Sequence, residues 1–238
     1  MHWCVVIEGD PIDLEMLATS MSGYSTSITA EAGRFILQSD TFGGIDLPEV
    51  IEGKATEILA RLSGCVRLML NGRMSLRVGS LYRVRDDGGR DFYILAKPGE
   101  YYLRDMPATL EIAKGDGSKE IRGPADVIPS MIERAAIDEN FAKALRLRDG
   151  DALGWSDLYR LYEVIETGVS RSFIVKNGWA TDGEIRRFKH TANSVAAVGD
   201  EARHGKEWAD PPSQPLALSD ARTFIDSLLR RWNGRTAA

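Results

Sequence analysis

The chain has only three histidines, His2, His190 and His204, which limits its options for acid–base catalysis sharply. His2 stands beside the first residue and reads as solvated. The other two fall between Glu184 and Lys206, in company with Arg186, Arg187, Lys189, Asn193 and Arg203. On a helix, Arg186 and His190 are four apart and share a face with Asn193, while Phe188, Ala192 and Val195 turn inward. Such a face can hold a phosphate and pass a proton. The plainer alternative is a solvated helix face continuing into a polar loop. His204 next to Arg203 is the one adjacent imidazole–guanidinium pair. Those are the groups that metal-free RNA cleavage needs, a proton acceptor for the 2′-hydroxyl and a cation for the phosphate.

A second cluster is basic without histidine. Residues 61–85 contain six arginines (Arg61, Arg67, Arg73, Arg77, Arg83, Arg85) and no acidic residue. Arg83 and Arg85 are two apart, hence on one face of a strand, and Tyr93 on the facing strand of a hairpin would flank them. A basic sheet face with an aromatic is a way to hold single-stranded RNA. The competing reading is an exposed strand face that arginine protects from edge pairing.

Other chemistries fail earlier. Gly43-Gly44 and Gly88-Gly89 lack the lysine of a phosphate loop, and no serine nucleophile elbow is present. Asp200, Glu201 and His204 are short of a zinc set, so no metal and no cofactor are expected. Cys4 and Cys65 read as small buried hydrophobes.

The elements that must position these residues can be read from periodicity. Trp3 to Glu8 is a short apolar run that reads as a strand. Asp10 and Pro11 then open a helix with Leu14, Leu17, Ala18 and Met21 on one side. Ser25–Ala30 and Arg34–Gln38 form a strand pair across Glu31-Ala32-Gly33. Asp46 with Pro48 and Glu49 predicts a capped helix with Ile51, Ala55, Ile58, Leu59, Leu62 and Val66 inward. Beyond Asn71-Gly72 the period becomes two, with Met74, Leu76 and Val78 in one strand and Phe92, Ile94 and Ala96 in another, around the turn Asp86-Asp87-Gly88-Gly89. Thr109 to Ala113 reads as one more short strand. Residues 114–129 carry glycine and proline without apolar periodicity, and the domain boundary is placed there. The remainder of the chain reads as helical: Met131–Ala136, Glu139–Leu147, a helix capped by Ser156, a short one over Ser170–Lys176, one boxed by Thr181 and Glu184, and a last from Ser219 to Trp232. The stretch Gly199–Leu218 is long for a connection in a helical domain.

The expected fold class is therefore α+β. A ferredoxin-like sandwich with an extra hairpin occupies 1–116 and a helical bundle 125–238. The chain's 238 residues suit one large or two modest domains, and 43% apolar with 27% charged residues excludes a disordered chain. The longest apolar runs are far below the ~20 residues that a bilayer requires. Neither a signal peptide nor a disulfide framework is indicated, so a reducing cytoplasm is the expected setting. The formal charge of −5 is spread evenly, with 14 basic and 18 acidic groups in residues 1–125. Neither half is a nucleic-acid module by net charge alone.

The tail Glu201-Ala202-Arg203-His204-Gly205, set after a helix and accompanied by the stripe Leu158-Tyr159-Leu161-Tyr162, resembles the HEPN superfamily of helical domains from prokaryotic conflict and RNA-processing systems. The resemblance covers roughly the last hundred residues. It implies a homodimeric bundle that cuts RNA without metal, through an Arg and a His separated by four to six residues. Here the matching positions before His190 are Gly183, Glu184 and Ile185, and before His204 they are Ala197, Val198 and Gly199. The family spacing is thus unmet. The expected function is a non-catalytic binding or regulatory protein of the bacterial cytoplasm, acting through a protein partner or single-stranded RNA. The alternative is a divergent HEPN-like ribonuclease. Nucleic acid would be held by Arg77, Arg83, Arg85, Tyr93, Arg186, Arg187 and Lys189, and catalysis, if present, would use His204, Arg203 and His190.

Overall fold

The computed structural model describes residues 1–72, 75–94, 110–113, 119–150, 153–203 and 210–235. The chain divides into two compact units, Met1–Glu133 and Arg134–Ala238.

In the first unit the order is β1 (His2–Glu8), α1 (Pro11–Ser20), β2 (Thr26–Glu31), β3 (Arg34–Ser39), α2 (Pro48–Leu70), β4 (Arg77–Val84) and β5 (Arg90–Ile94). These strands form one sheet, β2-β3-β1-β4-β5, in which every neighbouring pair is antiparallel. β1 and β2 therefore run parallel with β3 between them, and β3 and β4 run parallel with β1 between them. By the right-handed rule for crossovers between parallel strands, α1 and α2 belong on the same side of the sheet. This is the ferredoxin-like sandwich expected from the order of elements, and β5 is the added hairpin strand.

Local chemistry explains most of the boundaries. The Asp10 carboxylate accepts the N–H groups of Ile12 and Asp13 at 2.9 and 3.4 Å, which starts α1. The β2–β3 turn places Ala32 and Gly33 both at positive φ, 48° and 75°, as the tight hairpin turn with right-handed twist requires. Two starts differ from expectation. Leu47, whose side chain has no acceptor, occupies the cap of α2, and the Asp46 carboxylate before it is bonded to Arg83 at 2.7 Å. β4 begins at Arg77, just after Leu76, whose N–H is taken by Ser63 Oγ of α2 at 2.8 Å and cannot join a ladder; Met74, expected in this strand, lies outside the described residues. A separate two-stranded sheet pairs β6 (Leu110–Ala113) with β7 (Lys119–Arg122). β7 falls in the stretch that reads from sequence as irregular, because four residues are too few to show a period.

The two faces of the main sheet differ. Val5, Ile28, Leu37 and Leu81 are fully buried toward the helices, which contribute Leu14, Leu17, Ile51, Ala55, Leu59 and Leu62 to that core. The outer face carries a smaller apolar strip, Cys4, Ile36 and Tyr82, flanked by half-buried Val6 and Val84. Both cysteines are free and buried.

The division between the units falls inside α3 (Ile128–Ile137). The second unit continues with α4 (Glu139–Arg148), α5 (Trp155–Val169), α6 (Arg171–Lys176), α7 (Asp182–Asn193), α8 (Val195–Val198) and α9 (Leu218–Asn233). Its core gathers on Phe188, whose ring lies 5.4 Å from Phe224, 5.6 Å from Tyr162, 6.3 Å from Tyr159 and 6.4 Å from Trp155. A forked ion pair, Arg148 Nε and Nη2 on the two Asp226 oxygens at 2.8 and 3.1 Å, ties α4 to α9. α7 has the expected capping box, with the Glu184 carboxylate accepting from Thr181 N–H and Oγ1 at 2.7 Å each. α5 departs from expectation. Gly154 is its cap residue, its N–H bonded to Asp157, and Ser156 instead donates to the Glu201 carbonyl at 3.3 Å. Among the described residues no helix is long and apolar enough to cross a membrane.

Candidate functional site

The histidine and arginine patch of α7 is largely committed to holding chain. Arg187 donates to the carbonyls of Gln214 and Pro215 at 2.6 and 3.4 Å, and His190 Nε2 lies 2.6 Å from the Asp210 carbonyl. Thr191 Oγ1, one residue on, accepts the N–H of Leu216 at 3.2 Å. These residues stand at i, i+3 and i+4, so one helix face fastens the incoming strap 210–216. A carbonyl only accepts, so Nε2 carries the proton in this contact and is not available there as a base. Arg186 pairs with Asp182 at 3.0 Å, one turn earlier on the same helix.

The other edge of α7 faces α5. Lys189 Nζ is 3.6 Å from Glu166 and lies over the rings of Tyr162 and Tyr159 at 5.4 and 5.8 Å. Arg203 donates to Glu163 at 2.7 Å, stacks on Tyr159 at 4.1 Å, and gives its backbone N–H to Ala192. Each cation is thus matched by a carboxylate and an aromatic face, an arrangement that anchors the segment after α8. Burial, then the bond to Glu166, pushes the Tyr162 phenol above its ordinary range. His204 lies outside the described residues. Among those described, no three His, Cys, Asp or Glu side chains converge as a metal site.

The first-unit arginines are separated rather than clustered. Arg83 faces the helical side, where it meets Asp46 and lies 5.6 Å over the Trp3 ring. Tyr93 is on that side too, 5.4 Å from Trp3. Arg85 lies beyond the end of β4 in the turn, held by Asp87 at 3.2 Å and Asp91 at 2.8 Å. Arg77 is exposed on the outer face, opposite Glu8.

That outer face has a constellation that sequence reasoning misses. Tyr82, on β4, pairs with Phe92 of β5. Their rings are 5.3 Å apart, and the Arg90 guanidinium lies 5.1 Å over Tyr82. Tyr82 is buried beneath this cover, whereas Phe92 is 59% exposed, an unusual amount for a large aromatic in a sheet. Arg34 and Arg77 are exposed on the same face, and Glu31 is 3.9 Å from Arg90. Burial is the main cause of a Tyr82 phenol raised to about 12; contact with Cys4 and the charge of Glu31 add to it, and Arg90 opposes it. The phenol is therefore neutral at physiological pH and presents an uncharged aromatic surface. The sequence signal lies in alternation. Phe92 and Arg90 share a phase with Tyr82, but a bulge between Val6 and Ile7 resets the phase of β4, and Gly79 is left without a ladder partner.

Comparison of the chain with family models, with characterised proteins and with solved structures finds no match.

Proposed function

We propose that this chain is a non-catalytic binding protein of the bacterial cytoplasm that holds single-stranded RNA on the outer face of its first-unit sheet. The observation that carries this reading is Phe92, exposed and fixed by Tyr82, with Arg90 stacked on the same ring. Bases stack on such a ring with little dependence on sequence, and cations at the rim meet the phosphates. Arg77 and Arg34 supply those rim charges, and the face lies away from α1 and α2. A double helix has no unstacked base to offer, so duplex RNA should bind less well.

Binding of labelled single-stranded RNA, measured by anisotropy across salt, tests this. Phe92→Ala is expected to weaken binding about five- to a hundredfold, the range for losing one stacked base. Arg90→Gln and Arg77→Gln should each lower the salt slope by about one contact. Absence of binding at low salt, or a Phe92→Ala variant that binds like the parent, rejects the proposal. The ribonuclease alternative has less support, because Arg203 and His190 are already engaged with Glu163 and the Asp210 carbonyl.

A further inference from the structure

One end of the same sheet contains a pocket of about 380 Å³, within the size range of small-molecule sites. Trp3, Phe42 and Ile45 provide apolar walls, and Ser39, Asp40 and Arg83 provide polar ones. The backbone of Gly43-Gly44 completes the rim. Gly44 sits at φ +71° with open space where a Cβ would point, so the loop presents backbone and no side chain there. Trp3 is fixed as a wall by its indole N–H, which donates to the Ile45 carbonyl at 2.7 Å.

Arg83 gives this pocket its chemistry. Its side chain as a whole is three-quarters buried, yet its partner Asp46 is 80% exposed and offers one oxygen at 2.7 Å. Asp46 lies just ahead of α2, in the position where a helix cap was expected, and caps nothing. Asp46 does not itself line the pocket, but its contact engages the guanidinium of an arginine that does. Such a contact with an exposed carboxylate is weak, so a ligand can displace it. A guanidinium accepts carboxylate and phosphate alike through parallel N–H groups.

We propose that this pocket binds a small organic anion with a compact apolar body, its carboxylate or phosphate monoester seated on Arg83 in place of Asp46. Asp40 on the wall only accepts hydrogen bonds when ionised, so the ligand also carries a hydroxyl or ammonium donor. This site is independent of the RNA surface, since it uses neither Tyr82 nor Phe92.

Calorimetric titration of the full chain with phenylalanine, with adenosine monophosphate and with inorganic phosphate separates the two anion sources from a bare ion. One of the two organic probes is expected to saturate and phosphate alone to bind more weakly. Arg83→Gln should lose about tenfold or more in affinity, the effect of removing one charge-assisted contact. Asp46→Asn should tighten binding several-fold, because the internal competitor is gone. The Asn variant also keeps the test decisive if Arg83→Gln fails to fold. Saturation by neither organic probe at millimolar concentration overturns the proposal. So does an Arg83→Gln variant that binds like the parent, or an Asp46→Asn variant that binds no better. Phe92→Ala should leave this affinity unchanged while weakening RNA, so the two sites stand or fall separately.

Discussion

Gly168 on α5 and Trp232 on α9 are in such close contact that a Cβ at position 168 would overlap the indole ring. Trp232 is fully buried and meets Phe141 edge-on at 5.2 Å, so it has no room to retreat. Gly168→Ala should therefore destabilise the second unit by about 1–3 kcal/mol, the usual cost of overpacking, despite alanine's better helix propensity. Gly53, inside α2, is the converse case, exposed and with nothing within 4 Å of a built Cβ. Gly53→Ala should stabilise the first unit by about 0.5–1 kcal/mol. Urea unfolding of both variants checks the pair of signs; a neutral Gly168→Ala would mean that α9 can shift.

The strap 210–216 gives a second prediction. Arg187 and His190 contribute bonds at the surface, whereas Thr191 is fully buried and serves two partners, donating to the Arg187 carbonyl at 2.9 Å and accepting from Leu216. Thr191→Val leaves the Leu216 N–H without its acceptor, at a cost of about 1–3 kcal/mol. His190→Ala removes an exposed bond worth about 0.5–1.5 kcal/mol. Both variants should be cut faster by protease within 210–217, Thr191→Val the more so. Equal cutting of parent and variants would show that apolar contacts, not these bonds, hold the strap.

How far the sequence can be read depends on the range of the interactions involved. The Asp10 cap, the Ala32-Gly33 turn and the Thr181–Glu184 box are decided within four residues, and each is legible. Strand order is legible too, because two crossovers of fixed hand allow few arrangements. Which face a strand residue occupies is not legible beyond Gly79, because the bulge is set by pairing with β1, some seventy residues earlier. Hence linear spacing points to Tyr93, where Phe92 holds the outer face. The arginines mislead for a related reason. Asp46 is 37 positions from Arg83, and Glu163 is 40 from Arg203, so charges that look free in a linear reading are matched in space.

Tyr82 supplies a pH test of the outer face. Its phenol is raised to about 12, first by burial and then by the Cys4 contact, while Gln38 Nε2 approaches the same sulfur at 3.4 Å. A tyrosine in the unfolded chain ionises near 10. Because the folded value is the higher one, folding favours the protonated form. The associated stability is fully present below pH 10 and is lost as pH rises through about 12. Phenolate absorbance of the parent minus that of Tyr82→Phe isolates this group from the other tyrosines, and the difference should rise only near pH 12. The charge of Arg90 favours the phenolate, so Arg90→Gln should move the step higher still. A step at the ordinary value of about 10 would mean that Tyr82 is open to water. Phe92 would then have lost the fixed neighbour on which its role as a stacking surface depends.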